Sequence, residues 1–165
     1  MKGVATPGKA HSRRVIPRTP SQTLGTRFGI RPPGPSRIAP AGHPAAISVH
    51  GKVMDGSGAP VGAALVETWQ RGPDGLGRCL TDPSGCFEVV TLAPRSGYLG
   101  ALVFAAGLLR PVATRIYLVT RPADPVLEKV PAERRHTLIA VPDGRQAYRF
   151  DIRLQGPGET VFFEF

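Results

Sequence analysis

The apolar stretch YLGALVFAAGLLRPVATRIYL, residues 98–118, constrains the fold more than any other part of the sequence. Its first uninterrupted apolar run covers residues 98–109, well short of the roughly 20 residues that a membrane-spanning helix needs. Pro111 excludes one continuous buried helix, because proline lacks the N–H donor and clashes with the preceding helical turn. Gly107 separates the two halves further. The stretch therefore predicts two core strands and no membrane segment.

The other predicted elements are also short, because 20 glycines and 18 prolines leave little room for long helices. Residues 47–55 alternate between apolar and polar, as a strand with one wet face does. Residues 62–70 give a second strand, with Trp69 and Val66 on opposite faces. A helical turn is predicted only in PAERRHTLIA, where Pro131 suits a first helical position. Seven or eight strands with one short helix predict an all-β, antiparallel β-sandwich of the prealbumin-like type.

Two local predictions concern a hairpin and the last strand. The tetrapeptide DPSG, residues 82–85, suits a type I turn between two partner strands. On that interpretation Cys79 and Cys86 face each other across the hairpin as buried thiols. The strand AYRFDIRLQ places Ile152 and Leu154 on an apolar face, which we expect to be exposed in the isolated chain together with the closing VFFEF.

Charge divides the chain into a basic arm, residues 1–45, and a β-sandwich domain, residues 46–165. No acidic residue precedes Asp55, whereas nine Lys and Arg residues do, and the remainder carries no net charge. Such an arm can bind phosphate backbones, but we favour a solvated tail or a partner-docking segment, and so predict no nucleic acid as partner. The first 20 residues lack a signal-peptide core, and the two cysteines form no C-x-x-C unit, so a cytoplasmic location is expected.

Several blocks carry a family resemblance. GKVMDGSGAPVGAALVE and TDPSGCFEV resemble prealbumin-like modules, and alone they leave a structural module and an enzyme equally open. Other blocks, in chain order, are TPSQTLG, ALVETWQ, GRCLTD, ATRIYL, DPVLEKVPAERRHTLIA and YRFDIRLQGPGETVFFEF. Together they resemble the alpha chains of protocatechuate 3,4-dioxygenase, in the intradiol ring-cleavage dioxygenase family. The resemblance covers most of residues 19–165.

The resemblance implies a two-chain enzyme on a shared β-sandwich fold. A partner beta chain would hold Fe3+ through two tyrosines and two histidines, and bind a small aromatic dihydroxy acid for attack by O2. The ring of protocatechuate would open between its hydroxyl-bearing carbons, giving 3-carboxymuconate. This chain would contribute no catalytic residue and no metal ligand, only part of the substrate pocket. Thr23 and Gly25 match the pocket-wall positions, although the SQT segment serves equally well to dock the arm on its partner.

Metal-binding members carry their histidines as H-x-H on one strand, where residues i and i+2 share a face. The corresponding positions here are Tyr98 and Gly100, which do not supply that pair. The sequence has four histidines, none spaced as a ligand pair: His11, His43, His50 and His136. The segment FARG of the family reads FAAG, with Ala106, and the loops after Trp69 and Pro94 look shortened. These departures support a second hypothesis, a degenerate paralogue acting as a non-catalytic β-sandwich binding or scaffold module.

Overall fold

The computed structural model of the chain describes residues 35–70, 75–118 and 124–164. These residues form nine strands: β1 (Ala46–Met54), β2 (Leu65–Trp69), β3 (Leu76–Leu80), β4 (Cys86–Leu92), β5 (Tyr98–Phe104), β6 (Val112–Tyr117), β7 (Val141–Pro142), β8 (Ala147–Arg149) and β9 (Ile152–Arg153). One sheet has the order β4-β1-β8-β7, with β9 also on β1, and the other has the order β3-β2-β5-β6. The predicted all-β sandwich is confirmed. Within it, β8 and β9 run parallel to β1, and the other pairs are antiparallel.

The core lies between the two sheets, and alternation along the strands decides which side chains enter it. In β1 the residues at odd positions are buried, from Ile47 to Val53, while His50 is only half-buried and Lys52 is exposed. In β5 the side chain of Leu99 is 1% exposed and packs in the same cluster. Burial of each such aliphatic side chain contributes about 1.5–3 kcal/mol, so the alternating pattern itself specifies which face of each sheet turns inward.

The predicted β3–β4 hairpin is wrong, because the two strands lie in different sheets. The turn itself forms: the Gly85 N–H donates to the Asp82 carbonyl, and the Asp82 carboxylate accepts the N–H of Cys86. Beyond the turn the strands separate, β3 pairing with β2 and β4 pairing with β1. The segment is a corner between the layers, so Cys79 faces Val66 and not Cys86. Both thiols are half-buried and free.

The predicted last strand is interrupted after Arg149 and resumes at Ile152, and both parts run along β1. The interruption lies beside Gly51, where an added Cβ would stand 1.9 Å from the Phe150 carbonyl oxygen. Only glycine allows the two backbones to approach so closely. The expectation that Ile152 is exposed is wrong: its side chain is fully buried in the core, and Leu154 packs against it.

Two short helices follow β6, whereas one was predicted. The predicted turn is a 3-10 helix, Ala132–Leu138, preceded by Pro131. The helix that was missed is α1 (Pro125–Lys129), which has Asp124 as its N-cap and proline in its first turn. Both signals are present in the sequence, but a five-residue helix has no amphipathic repeat. None of the helices in the described part of the chain is long and apolar enough to cross a membrane.

The described end of the predicted arm runs along the sandwich edge. The Ile38 N–H donates to the Val90 carbonyl of β4, and the Arg78 N–H of β3 donates to the Pro35 carbonyl. Ala39 is buried. Residues 35–39 thus bridge the edge strands of both sheets. The division into an arm and a domain at residue 45 stays a prediction.

Candidate functional site

The side of the β3-β2-β5-β6 sheet that points away from the core, here called the outer face, carries the candidate site. The register places Trp69 of β2 opposite Gly100 of β5, and Gly100 opposite Arg115 of β6. Two residues earlier on β5, Tyr98 stands opposite Tyr117. Because alternate residues share a face, these five side-chain positions form one continuous group across three strands.

A cleft of about 380 Å³ opens over this group. Its walls come from three strands, from helix α1 and from the C-terminal segment. The lining residues are Trp69, Tyr98, Gly100, Ala113, Thr114, Arg115, Val126, Phe163 and Glu164. The C-terminal wall is held in place because the Phe163 N–H donates to the Ala113 carbonyl at 2.8 Å. We call this space the Gly100 cleft.

The indole of Trp69 lies directly over Gly100. A Cβ added at Gly100 would stand 2.3 Å from Trp69 Cε2 and 2.6 Å from Trp69 Nε1. The indole therefore occupies the space that a side chain at position 100 would need. Trp69 is nevertheless 36% exposed, so part of its ring remains at the surface of the cleft.

Arg115 is fixed between aromatic rings and a carboxylate. Its guanidinium carbon lies 4.3 Å from the centre of the Tyr98 ring, within the range of a cation–π contact. Its Nη1 donates to the Tyr117 hydroxyl at 3.3 Å and lies 3.6 Å from Asp124 Oδ1. Burial raises the pKa of the Tyr117 phenol above its ordinary value, although Arg115 opposes that shift. Tyr117 is therefore a neutral hydrogen-bonding group at neutral pH.

Asp124 links Arg115 to helix α1. Its Oδ1 accepts the backbone N–H groups of Val126 and Leu127 at 2.8 and 3.1 Å, as an N-cap does. Burial alone would raise the pKa of Asp124, but these N–H groups and the Arg115 charge together hold it below its ordinary value. The carboxylate is thus ionised at neutral pH, and it ties the short helix to β6.

The residues present do not fit a ferric ion. Position 100 has no side chain, and an imidazole placed there would overlap the Trp69 indole. The Arg115 cation covers the Tyr98 ring and would repel a second cation beside it. In residues 35–70, 75–118 and 124–164, no group of three or more His, Cys, Asp or Glu side chains could hold a metal ion. We derive no chemical step through iron on this chain.

The structure separates the other residues that the sequence singled out. Thr23 and Gly25 lie outside the described residues, as does His11. His50 Nε2 lies 2.9 Å from Asp143 Oδ2 on the opposite sheet, where it joins two surface elements. Ala106 is exposed in the turn after β5, and His43 and His136 are also exposed.

Arg115 was missed as a site residue by sequence reasoning, and Trp69 was used only to mark a strand and a shortened loop. One signal was available: Trp69 is the only tryptophan in the chain, and it precedes a loop. Arg115 lies in a mostly apolar strand, and the spacing of one cation in such a strand does not predict a functional role. Its role depends on cross-strand register with Gly100, and register is not readable from one strand alone.

The protocatechuate 3,4-dioxygenase alpha chain of Burkholderia cepacia is 33% identical to this chain, over 91% of this chain and 98% of the relative. This chain belongs to the protocatechuate 3,4-dioxygenase alpha-chain family. The corresponding alpha chain of Pseudomonas putida is 32% identical, over 92% of this chain and 98% of the relative. The alpha-chain resemblance seen in the sequence is thereby confirmed, and with it the role of an oxidoreductase subunit.

Solved structures support the same fold at lower identity. The dioxygenase domain of a carbohydrate-binding fusion protein from Streptomyces sp. SirexAA-E superposes with a TM-score of 0.57 at 18% identity, over 84% of this alpha chain and 100% of that chain. Catechol 1,2-dioxygenase from Pseudomonas arvilla C-1 gives a TM-score of 0.53 at 19% identity, over 85% and 62% of the two chains. No family model matches the sequence.

The alignments also bear on loop length. The match to the Burkholderia relative extends over 196 positions, more than the 165 residues of this chain, so the alignment contains gaps in this chain. The relative is therefore longer within the shared fold. That the loops after Trp69 and Pro94 are among the shortened segments stays a prediction.

Proposed function

We propose that this alpha chain assembles with a beta chain to form a ferric intradiol dioxygenase that converts protocatechuate and O2 into 3-carboxymuconate. In this proposal the beta chain holds Fe3+ and this chain completes the substrate pocket. The single observation that supports it is the 33% identity to a protocatechuate 3,4-dioxygenase alpha chain over nearly its whole length. The residues around Gly100, which do not fit an iron ion, are consistent with a metal held by the partner.

Thr23 and Gly25 remain our proposal for the part of this chain that approaches the substrate. A hydroxyl group and a backbone without a side chain suit recognition of a small polar aromatic acid at close range. The first described residue, Pro35, lies at the sandwich edge, where its carbonyl accepts the N–H of Arg78 of β3. In the proposal, residues 1–34, which precede Pro35 in the sequence, extend onto the beta chain. A cytoplasmic location is part of the same proposal.

The experiment that tests this function is co-expression with a beta-chain gene, followed by co-purification and measurement of O2 uptake with protocatechuate. We expect a red-brown complex with turnover, whereas this chain purified alone should be colourless because it lacks the tyrosinate ligands of ferric iron. The Thr23→Ala variant should raise KM about threefold without preventing assembly. A beta chain that is fully assembled and fully active without this chain would contradict the proposal.

A second candidate function is the non-catalytic scaffold module. One observation favours it: Ala106, where the family carries an arginine suited to a substrate carboxylate, is an exposed residue without a polar side chain. The same co-expression separates the two functions. A scaffold gives a stable complex that does not consume O2. Introducing Ala106→Arg should then restore turnover if the missing cation is the reason.

A further inference from the structure

We propose that the Gly100 cleft binds a single-ring aromatic carboxylate, with the ring against the Trp69 indole and the carboxylate on the Arg115 guanidinium. Residues of this chain line the cleft, and the binding chemistry that we infer involves no metal. The inference goes beyond the proposed function, because it does not require ring cleavage or a partner chain.

The size and walls of the cleft select a small planar ligand. Its volume of about 380 Å³ lies at the lower end of the range for small-molecule sites, which is roughly 300–1,000 Å³. Its apolar walls are Trp69, Ala113, Val126 and Phe163. Trp69 is partly exposed and its indole lies over Gly100, so it offers an aromatic surface on which a ring can stack.

The charge of the cleft selects an anion. Arg115 is held by Tyr98 and Tyr117, so little side-chain freedom is lost when it binds a carboxylate. A guanidinium has five N–H donors. Asp124 accepts few of them, because its Oδ1 lies 3.6 Å from Arg115 Nη1 and already accepts two backbone N–H groups. A carboxylate matches the remaining donors in a two-point contact.

Two acidic groups oppose an anion at this position, Asp124 beside the guanidinium and Glu164 at the rim. Glu164 lines the cleft, but its side chain is 88% exposed and lies 3.5 Å from Arg110. Solvent and Arg110 therefore screen its charge. A cationic ligand would meet the Arg115 charge. A wholly apolar ligand would cover those guanidinium donors that neither Tyr117 nor Asp124 accepts, which is costly. The ring of an aromatic acid packs against the aromatic walls, and its carboxylate pairs with the Arg115 guanidinium.

Trp69 provides a direct measurement, since it is the only tryptophan in the chain. Benzoate titrated into the full-length chain should change the tryptophan fluorescence in a saturable way. Benzamide, which keeps the ring but not the charge, should bind at least tenfold more weakly. Cyclohexanecarboxylate, which keeps the charge but not the aromatic ring, should bind about threefold more weakly. Equal binding of benzoate and benzamide, or no saturable change at millimolar benzoate, overturns the proposal.

Variants assign the contacts. Arg115→Gln should weaken benzoate binding at least tenfold, and Arg115→Lys, which keeps the charge but not the planar fork, about threefold. Arg110→Gln is the matched control at the rim and should stay within twofold. Gly100→Ala should displace the indole and remove binding while Arg115 is retained. Unchanged affinity in Arg115→Gln would refute the assignment, and the benzamide comparison decides the matter if that variant fails to fold.

The result is distinguishable from that of the proposed function. The fluorescence titration uses this chain without a beta chain and without turnover. An inactive complex would therefore leave the cleft proposal standing, and an empty cleft would leave the dioxygenase proposal standing.

Discussion

The outer faces of the two sheets differ in chemistry although the sheets share one core. On the β1-containing sheet the outer face is polar: the Ser48 hydroxyl donates to Glu88 at 2.6 Å, and His50 pairs with Asp143. On the β5-containing sheet the outer face carries Trp69 and a neighbouring exposed apolar side chain, Leu76. The first face is suited to water, whereas the second requires cover.

Part of that cover is supplied by the chain itself. The two short helices and the C-terminal segment pack on the Tyr117 end of the outer face, where Tyr117, Leu127, Val130 and Leu138 form a second buried cluster. Phe163 packs against this second cluster and also lines the Gly100 cleft, so it marks the border between them. The comparison teaches that the candidate site lies at the boundary between the covered and uncovered parts of the outer face of the β5-containing sheet.

The largest expected effect compares one glycine from each sheet. Gly51→Ala should lower the free energy of unfolding by at least about 3 kcal/mol, because the new Cβ meets the backbone of Phe150, which cannot move aside. Gly100→Ala should cost about 1 kcal/mol, because the obstacle is the partly exposed Trp69 side chain, which can rotate away. Urea denaturation of both variants measures the difference. Equal costs would mean that Trp69 is as fixed as backbone.

The next effect compares the two faces of β5. Leu99→Ala should cost about 3 kcal/mol, since the side chain is fully buried between the sheets and leaves a cavity. Leu102→Ala, on the outer face of the same strand, should cost about 1 kcal/mol because that side chain is only half-buried. Thermal unfolding of the pair checks this order. A reversed order would place the core on the wrong side of the sheet.

A smaller effect concerns the cover over Tyr117. Asp124→Asn keeps a capping oxygen but removes the charge beside Arg115, and should cost about 1 kcal/mol at pH 7. The folded pKa of Asp124 lies below its unfolded value of about 3.9, so this contribution is present above that pH and is lost as the pH falls through the folded pKa. Denaturation of both proteins between pH 3 and pH 7 tests the sign. A difference that grows as the pH falls from 7 to 3 would count against it.

The smallest effect is expected on the polar face. Ser48→Ala and His50→Ala should each change the free energy of unfolding by less than about 0.5 kcal/mol, because their bonds lie at the surface and compete with water. The same urea measurement applies. A cost above 1 kcal/mol for either variant would show that this face is not simply solvated, and the comparison between the two faces would need revision.

Much of the fold could be predicted because strand alternation is local information. The buried faces of β1 and β5, the break at Gly107 and Pro111, and the turn at Asp82 all follow from neighbouring residues. The partners of β3 and β4 could not be predicted, since a turn fixes where the chain reverses but not which sheet each strand joins. The burial of Ile152 depended likewise on parallel pairing with a distant strand.

The sequence by itself determined the fold class, the family and the absence of a histidine pair at Tyr98 and Gly100, because these depend on residue types and their spacing. Only the tertiary structure decided that Trp69 covers Gly100 and that Arg115 stands beside Tyr98. The physical reason is cross-strand register. Trp69 and Gly100 are 31 residues apart and Tyr98 and Arg115 are 17 apart, so these side chains meet only after β2, β5 and β6 have paired, and that pairing is set by the whole core.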